Sequence, residues 1–349
     1  MTFELGVYTF GNTPRLADGR HGATAQAVRD VLEAVKLAEE VGLDFFGVGE
    51  HHTRSMPLSS PTAVVNAAAA STNRIKLGTT VTVLSTDDPI RVFEQLATAA
   101  SLAPGRIEAV AGRGSSPITF GLFDYDEHDY DMLFASKLEL LLAVNAGEDV
   151  TWQGPHRRRP LQNVTVYPRP EHPLKIWLGT GGSPESVYRA VELGLPMFLG
   201  ILGGTPEHWA RYGQAYRQAW AQSGHPAGNA DIAVAVHGFV ADTDAQARAA
   251  YLKYESRMFV DGMAEIGRPG PPLSGRAAAY DRGGMVFVGS PDEVADRILH
   301  LHGLLGHTRQ ILQMDVGGMP HNDVLRGIEL LGTKVLPQVR AELGERAAD

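Results

Sequence analysis

An apolar run at residues 45–49 ends abruptly in one carboxylate and two imidazoles, Glu50, His51 and His52. A run of this length predicts a buried strand, and a buried parallel strand carries its polar residues at its tip. Imidazole titrates near neutral pH, and a neighbouring carboxylate can fix its tautomer, so the triplet indicates acid–base chemistry. Metal binding and a purely structural role are the alternatives.

Metal binding is the less favoured of these. Adjacent histidines in an extended segment point to opposite sides of the chain, so His51 and His52 cannot easily bind one ion. No His-Glu-x-x-His pattern accompanies them. We therefore expect no metal, one histidine that faces a cavity, and one that supports the fold.

A second group of residues favours an anion. Its glycines let the backbone approach a ligand closely, and its serine can cap a helix that begins at Pro184. Free N–H groups at a helix start favour phosphate. The residues concerned are Gly179, Thr180, Gly181, Gly182, Ser183 and Ser186. Capping alone is the alternative, because Thr205-Pro206 and Ser290-Pro291 show the same pattern.

Arg113 lies between Gly112 and Gly114, and Ser115 follows. The segment thus places a cation beside flexible backbone, and arginine matches phosphate through a bidentate fork. Taken alone, Arg113 reads as a surface residue in a turn. Together with the glycine-rich group, it predicts one anion pocket shared by two neighbouring strand ends.

The elements that must position these residues alternate along the chain. Eight predicted strands are each followed by a helix, which implies a parallel sheet and suggests a closed (β/α)8 TIM barrel. An open doubly wound sheet is the alternative, weakened because no Gly-x-Gly-x-x-Gly turn follows the first strand. Barrel chemistry sits at the C-terminal strand ends, where both residue groups fall. The predicted strands are residues 3–8, 45–49, 76–83, 107–111, 175–178, 197–199, 232–240 and 310–316.

Two segments interrupt the alternation within the single domain expected for residues 1–349. Residues 150–170 hold Trp152, three consecutive arginines and several prolines, and we expect an inserted hairpin or loop after the fourth helix. Residues 267–284 are rich in proline and glycine, which argues against a helix between the seventh and eighth strands. Long structureless loops are often lids, so we expect a mobile cover over the barrel mouth; an inert surface loop is the alternative.

Composition limits the classes of function. The net charge of −9 argues against non-specific binding to nucleic acid or to acidic membranes. The chain has no cysteine, which excludes disulfides and thiol chemistry. Neither a signal peptide nor an apolar run long enough for a membrane span is recognised. We expect a cytoplasmic protein.

The chain resembles the bacterial luciferase-like monooxygenase family over most of its length. The resemblance implies a (β/α)8 barrel that holds flavin mononucleotide (FMN) at its C-terminal mouth. Glu-His-His after the second strand favours FMN over deazaflavin F420, whose enzymes more often carry Asp-His-Phe-like residues there. Four motifs in this order and spacing carry the resemblance: residues 47–52 (GVGEHH), 78–89 (GTTVTVLSTDDP), 112–115 (GRGS) and 179–186 (GTGGSPES) with 194–196 (GLP).

The resemblance also implies residue roles. The flavin ring is expected near Thr80 and Val81, whose peptide bond is expected to be cis by analogy. His51 matches the family's catalytic histidine, Glu50 is expected to orient it or to position the ring, and His52 is expected to be structural. Relatives often place a second arginine against the phosphate, and residues 126–133 contain none. The ribityl chain and phosphate are expected at Gly112, Arg113, Ser115, Gly179, Thr180, Gly181, Gly182, Ser183 and Ser186.

The implied chemistry is oxygen activation. Reduced FMN, supplied by a separate flavin reductase, is expected to react with O2 to form a hydroperoxide at C4a, behind a lid that excludes water. A partly apolar small-molecule substrate is expected, because Tyr8, Phe10 and Met319 fall at the mouth. An F420-dependent oxidoreductase, a non-catalytic flavin-binding protein and a metal-dependent hydrolase are the alternatives. By analogy, a homodimer is expected to form through the Ala-rich helix at residues 62–71.

Overall fold

The computed structural model describes residues 2–114, 116–266 and 276–344, without the side chain of Ala277. Within these ranges, eight parallel strands close into a barrel and confirm the predicted (β/α)8 architecture. The strands are β1 Glu4–Thr9, β2 Phe45–Val48, β3 Lys76–Val83, β4 Ile107–Gly112, β5 Val150–Trp152, β6 Leu161–Val164, β7 Lys175–Thr180, β8 Met197–Ile201, β9 Ile232–Val240, β10 Phe287–Gly289 and β11 Arg309–Gln313. Around the barrel they follow the order β1, β2, β3, β4, β7, β8, β9 and β11, and β11 pairs with β1.

The helices that cover the barrel begin at residues suited to helix starts. The side chains of Asp88, Ser183, Thr205 and Ser290 each accept a hydrogen bond from the first turn, and a proline follows each of them. The helices are α1 Thr24–Glu40, α2 Pro61–Ala69, α3 Pro89–Leu102, α4 Pro117–Leu122, α5 Tyr130–Ala146, α6 Pro184–Glu192, α7 Pro206–Ser223, α8 Asp244–Arg257, α9 Met263–Glu265, α10 Pro291–Leu305, α11 His321–Leu330 and α12 Leu336–Glu342.

The barrel strands bury side chains on both faces, because successive residues point to opposite sides of a strand. On β9, Ala233 and Ala235 belong to the core inside the barrel, whereas Val234 and Val236 belong to the core under the helices. By the same alternation His237 faces inward, close to the C-terminal end of the barrel. The inner core also contains Tyr8, Phe45, Val110, Trp177, Phe198 and Ile311.

The N-terminal end of the barrel is closed by a buried ion pair. The guanidinium of Arg309 donates to the carboxylate of Glu108 at 2.6 and 3.0 Å. It also lies 4.2 Å from the ring centroid of Phe45 and 5.0 Å from that of Trp177. Although burial alone would raise it, Arg309 holds the pKa of Glu108 at about 2. The closed end leaves the opposite end, where the strands have their C-termini, for ligand chemistry.

The inserted segment at residues 150–170 contains the expected hairpin, since β5 pairs antiparallel with β6. The predicted lid is only partly described, because residues 267–275 lie outside the described ranges. The prediction that residues 267–284 contain no helix is wrong in its second half, where Arg276–Tyr280 form a 3-10 helix. The prolines lie before this turn, and Arg276 and Tyr280 both donate to the buried carboxylate of Glu255.

Other differences from the sequence prediction concern short elements and element ends. The last barrel strand stops at Gln313, whereas its predicted span reached residue 316. Helices α8 and α9 are joined by a π-helical turn at Met258–Gly262. Helix α4 and strand β10 were not predicted. No helix in the described part of the chain is long and apolar enough to cross a membrane.

Candidate functional site

The tip of β2 is held against the end of β3 by the carboxylate of Glu50. One oxygen accepts a hydrogen bond from the backbone N–H of Val83 at 3.0 Å, and the other lies 3.0 Å from Nε2 of His52. The Glu50 carboxylate therefore does not orient the His51 ring directly. In extended chain, residues two apart share a side, so Glu50 meets His52 and not the adjacent His51.

His51 lies on the other side of this segment, at the inner rim of the barrel mouth. Its ring contacts Phe10 edge-on with centroids 4.6 Å apart, and Phe10 contacts the inner-core residue Tyr8. No hydrogen bond to the His51 ring is found among residues 2–114, 116–266 and 276–344. Burial, with a smaller contribution from His52, lowers the pKa of His51 to about 4. The imidazole is therefore neutral at pH 7, and the same burial makes it a weak base.

The end of β3 presents an unpaired hydroxyl to the barrel interior. The peptide bond between Thr80 and Val81 is cis, as expected. The side chain of Thr80 lies over the inward side of Gly47, and its Oγ1 is enclosed without a hydrogen-bond partner in the described ranges. Val81 packs against β4 so closely that a Cβ added to Gly112 would lie 2.4 Å from its side chain. Gly112 therefore shapes the wall beside Val81.

The interior of the barrel is open at the ends of β7 and β8. Gly200 is exposed although its neighbours Leu199 and Ile201 are buried. A Cβ added to Gly200 or to Gly181 would meet no heavy atom within 4 Å. Because Gly200 pairs in register with Ala235, a residue of the inner core, this open space lies inside the barrel.

Helix α6 begins beside this opening. The hydroxyl of Ser183 accepts a hydrogen bond from the backbone N–H of Ser186 at 3.3 Å, and the Ser186 hydroxyl donates to the Ser183 carbonyl at 2.8 Å. Gly182 has φ of 83°, a conformation that favours glycine, and Trp209 occupies the space where its Cβ would lie. The turn thus directs the start of a helix, with its N–H groups, towards the mouth.

Two of the residues predicted to bind phosphate make contacts within the sheet instead. The hydroxyl of Thr180 donates to the carbonyl of Phe198 at 3.3 Å. A Cβ added to Gly179 would lie 3.1 Å from the carbonyl of Ala111, so Gly179 allows β7 and β4 to approach each other. Both residues shape the wall, and neither side chain offers a polar group to the mouth.

Arg113 already contacts an acidic and an aromatic side chain. Its guanidinium lies 3.1 Å from the exposed carboxylate of Asp131 and 5.2 Å from the ring centroid of Tyr130. The Tyr130 hydroxyl donates to the carbonyl of Gly114 at 3.0 Å and fixes the turn. An anion at this position would therefore compete with Asp131 for the cation. Ser115 lies outside the described residues.

Two carboxylates at this end of the barrel were missed by sequence reasoning. Glu255 of α8 lies 3.6 Å from Nδ1 of His237, and both side chains are buried. Asp315 follows β11 and accepts a hydrogen bond from Thr9, and burial raises the pKa of Asp315 to about 7. A lone acid just after an apolar strand was a usable signal for Asp315. Glu255 lies in a polar helix, where a glutamate carries no signal.

The triplet does not belong to a metal-like cluster. Within the described ranges, histidine, aspartate and glutamate side chains approach one another closely enough to share an ion at Asp30, Glu33 and His321. These residues lie on α1 and α11, outside the barrel. The rim can instead bind an anion at the start of α6, pair a polar ligand atom with Thr80, and exchange a proton at His51. Such groups suit a ligand with a flat polar ring and a phosphate.

Comparison with known proteins agrees with this geometry. The family model for luciferase-like monooxygenases matches residues 9–308. The 4-hydroxyprotoasukamycin monooxygenase of Streptomyces nodosus subsp. asukaensis is 26% identical over 329 residues, which cover 89% of this chain and 87% of that protein. The crystal structure of monooxygenase RslO1 from Streptomyces bottropensis superposes with a TM-score of 0.83 and 25% identity over 96% of this chain and 99% of that one.

A more distant structure shows the same fold. The oxygenating constituent of 3,6-diketocamphane monooxygenase from Pseudomonas putida, solved with FMN, has a TM-score of 0.75 at 19% identity and covers 97% of this chain and 99% of its own. F420-dependent enzymes are also among the similar proteins. Since the family model covers most of the chain, the protein is an oxidoreductase that belongs to the luciferase-like monooxygenase family.

Proposed function

We propose that the protein is the oxygenase component of a two-component monooxygenase, which uses reduced FMN and O2 on a partly apolar small molecule. One observation carries the proposal: the interior is open at Gly200, at the end of the barrel where α6 begins, and Thr80 of β3 holds an unpaired hydroxyl on the inward face. A flat ring needs the open space, a polar ring edge needs the hydroxyl, and a phosphate needs the helix start.

The residues present fit FMN on these grounds. Ser183, Ser186 and the first N–H groups of α6 would hold the phosphate, and Arg113 would add a cation after leaving Asp131. Thr80 would hydrogen-bond the ring, and Val81 would form the floor beneath it. When bound, the flavin supplies the electrons and activates O2.

His51 is our candidate for proton transfer. Its imidazole lies on the rim beside Phe10 and is neutral at pH 7, so it would take up a proton only from a group that becomes acidic in the reaction, and would return it as product forms. Glu50 and His52 would keep the β2 tip against β3 and so hold His51 in place. Tyr8 belongs to the inner core and supports an apolar substrate, whereas Met319 packs in the core under the helices and does not line the mouth as expected.

The identity of the cofactor has support in two directions. The FMN in the diketocamphane monooxygenase and the Glu-His-His triplet support FMN. The F420-dependent relatives make deazaflavin F420 the second candidate. The separate flavin reductase, the homodimer through α2 and the cytoplasmic location stay predictions.

A titration of the protein with reduced FMN, oxidised FMN and F420 under argon tests the proposal. We expect reduced FMN to bind at least about tenfold more tightly than F420, a difference of about 1.4 kcal/mol. Gly200→Leu should weaken FMN binding by about tenfold or more, because it fills the open interior. Gly228→Leu is the matched control, since Gly228 is also open but lies at the opposite end of the barrel. Tighter binding of F420, or unchanged affinity in Gly200→Leu, would contradict the proposal.

A further inference from the structure

His237 shares the inner rim with His51 through a row of side chains. Strand register places His237 of β9 beside Gln313 of β11, and Gln313 beside Tyr8 of β1. Tyr8 contacts Phe10, and Phe10 contacts His51. The row therefore joins the two histidines along one side of the mouth.

The open part of the interior borders His237. The exposed Gly200 of β8 pairs in register with Ala235, which precedes His237 by two residues on the inward face of β9. A ligand in that space would therefore meet the ring of His237 next to it on the neighbouring strand. No hydrogen bond to this ring is found in the part of the chain that the structure describes.

The carboxylate of Glu255 lies behind His237, and the side chains of Arg276 and Tyr280 hold it in place. One oxygen of Glu255 lies 3.6 Å from Nδ1 of His237 and accepts a hydrogen bond from Arg276, and the other accepts from the Tyr280 hydroxyl. Glu255 and Tyr280 are each only 1% exposed. Although burial opposes it, contacts from His237, Arg276 and Tyr280 keep the pKa of Glu255 below its usual value.

This arrangement selects one tautomer of His237. An ionised carboxylate facing Nδ1 favours the proton on that nitrogen, as it does for many histidines that act through their other nitrogen. Nε2 is then left with a lone pair and can only accept a hydrogen bond. A lone pair on this nitrogen recognises a hydroxyl group, because an ether or hydrocarbon at the same position would leave it unpaired.

We propose that His237 binds a hydroxyl group of the substrate through Nε2, and that Glu255 is the positioning residue that keeps the proton of His237 on Nδ1. The substrate class is then a phenol, enol or alcohol on an otherwise apolar body. The assignment of this hydroxyl compound as the substrate rests on the proposed monooxygenase function, whereas the tautomer and the binding preference do not.

The tautomer can be measured directly. Nitrogen-15 labelling of histidine, with long-range proton–nitrogen correlation spectra, distinguishes a proton on Nδ1 from one on Nε2, and His237→Gln assigns the signal. We expect the Nδ1–H form in the wild type and in Tyr280→Phe, which removes a hydrogen bond from the same carboxylate without touching His237. Glu255→Gln should shift the signal towards a mixture. An Nε2–H form in the wild type overturns the proposal, even where the Glu255 variant fails to fold.

The ligand class is tested with a matched pair of probes, 4-nitrophenol and 4-nitroanisole, bound to the full chain with and without FMN. We expect the phenol to bind about tenfold more tightly than the ether in the wild type and in Tyr280→Phe. This preference should disappear in His237→Phe and shrink in Glu255→Gln. An equal preference in all variants, or no binding of either probe, overturns the assignment of a hydroxyl ligand.

The two proposals fail differently. Absence of FMN binding, together with the Nδ1–H tautomer and a phenol preference, would overturn the proposed function and leave the hydroxyl site standing. Tight FMN binding without the phenol preference would do the reverse. A merely structural Glu255 would be revealed if Glu255→Gln and Tyr280→Phe lowered thermal stability alike and left both tautomer and preference unchanged.

Discussion

The two histidines of the rim have opposite surroundings. His51 follows a glutamate in sequence, yet that carboxylate turns to His52 and to the backbone of β3. His237 has no acidic neighbour in sequence, yet Glu255 of α8 faces its Nδ1 at 3.6 Å. Adjacency along an extended strand separates side chains, whereas the packing of a helix over a strand end brings distant ones together.

The difference suggests a division of work between the two histidines. His51 lacks a carboxylate partner in the described ranges, and its buried ring is neutral and is our candidate for proton transfer. His237 is held in one orientation, which suits recognition of a ligand group. Variants of each histidine therefore test this division of work.

The largest effect is expected for His51→Ala. Turnover should fall by about 10²–10³-fold, because a positioned proton acceptor contributes on this order. The affinity for reduced FMN should change by less than about threefold, since the ring lies beside Phe10 and not at the helix start. Product formation in single-turnover mixing, with flavin binding measured in parallel, checks both values.

His237→Gln provides the matched control at the other histidine. It should act mainly on KM for a hydroxylated substrate, by about tenfold, with a smaller change in kcat. Unchanged turnover in His51→Ala with collapsed flavin binding would show that His51 holds the cofactor. A larger loss of kcat in His237→Gln than in His51→Ala would reverse the roles assigned to the two histidines.

An intermediate effect is expected for Glu50→Ala. This carboxylate is buried and paired at 3.0 Å with both His52 and the Val83 N–H, so its removal should lower the free energy of unfolding by about 2–4 kcal/mol. Urea denaturation gives the value. Glu33→Ala is the control, because Glu33 lies 3.2 Å from His321 but is 64% exposed, and about 0.5 kcal/mol or less is expected there. Equal losses would mean that the Glu50 pair does not hold the β2 tip.

The smallest effect concerns Asp315, which follows β11, the strand between β9 and β1. Burial raises its pKa to about 7, so between about pH 4 and 7 the folded state binds a proton that the unfolded state releases. Stability contributed by this carboxyl is full at low pH and is lost as pH rises through 7. Asp315→Asn should therefore be more stable than the wild type at pH 8, by about 1–3 kcal/mol, and close to it at pH 4.

Urea denaturation of Asp315→Asn across this pH range tests the sign. Asp323→Asn, a change at an exposed position on α11, should leave the pH dependence of the wild type unaltered. If Asp315→Asn gains its stability at low pH instead, the carboxyl is ionised in the folded protein and its contact with Thr9 has been misjudged.

Sequence reasoning recovered the barrel because apolar strand segments alternate with helices along the chain, and several of these helices carry a capping residue followed by proline. It missed β10 and the helix at Arg276–Tyr280, which are short and depend on tertiary partners. β10 exists through pairing with the end of β9, and the helix is anchored on Glu255. Local propensity does not specify such elements.

For the site, sequence placed the relevant strand ends at one mouth and predicted the cis bond at Thr80 by family analogy. It could not say which side chains would be free there. The Thr180 hydroxyl donates to the carbonyl of Phe198, and Arg113 forms an ion pair with Asp131. These outcomes depend on side-chain directions that spacing alone does not give.

The order of strands and helices, the barrel class and the set of strand ends at the mouth all follow from apolar patterning along the chain. The tertiary structure decided which carboxylate meets which imidazole, where the interior stays open, and that the end of the predicted lid is anchored. The physical reason lies in the distances involved. Apolar periodicity fixes which face of an element is buried, whereas the pairing of Glu50 with His52 and of Glu255 with His237 depends on strand pleat and helix packing over a few ångströms.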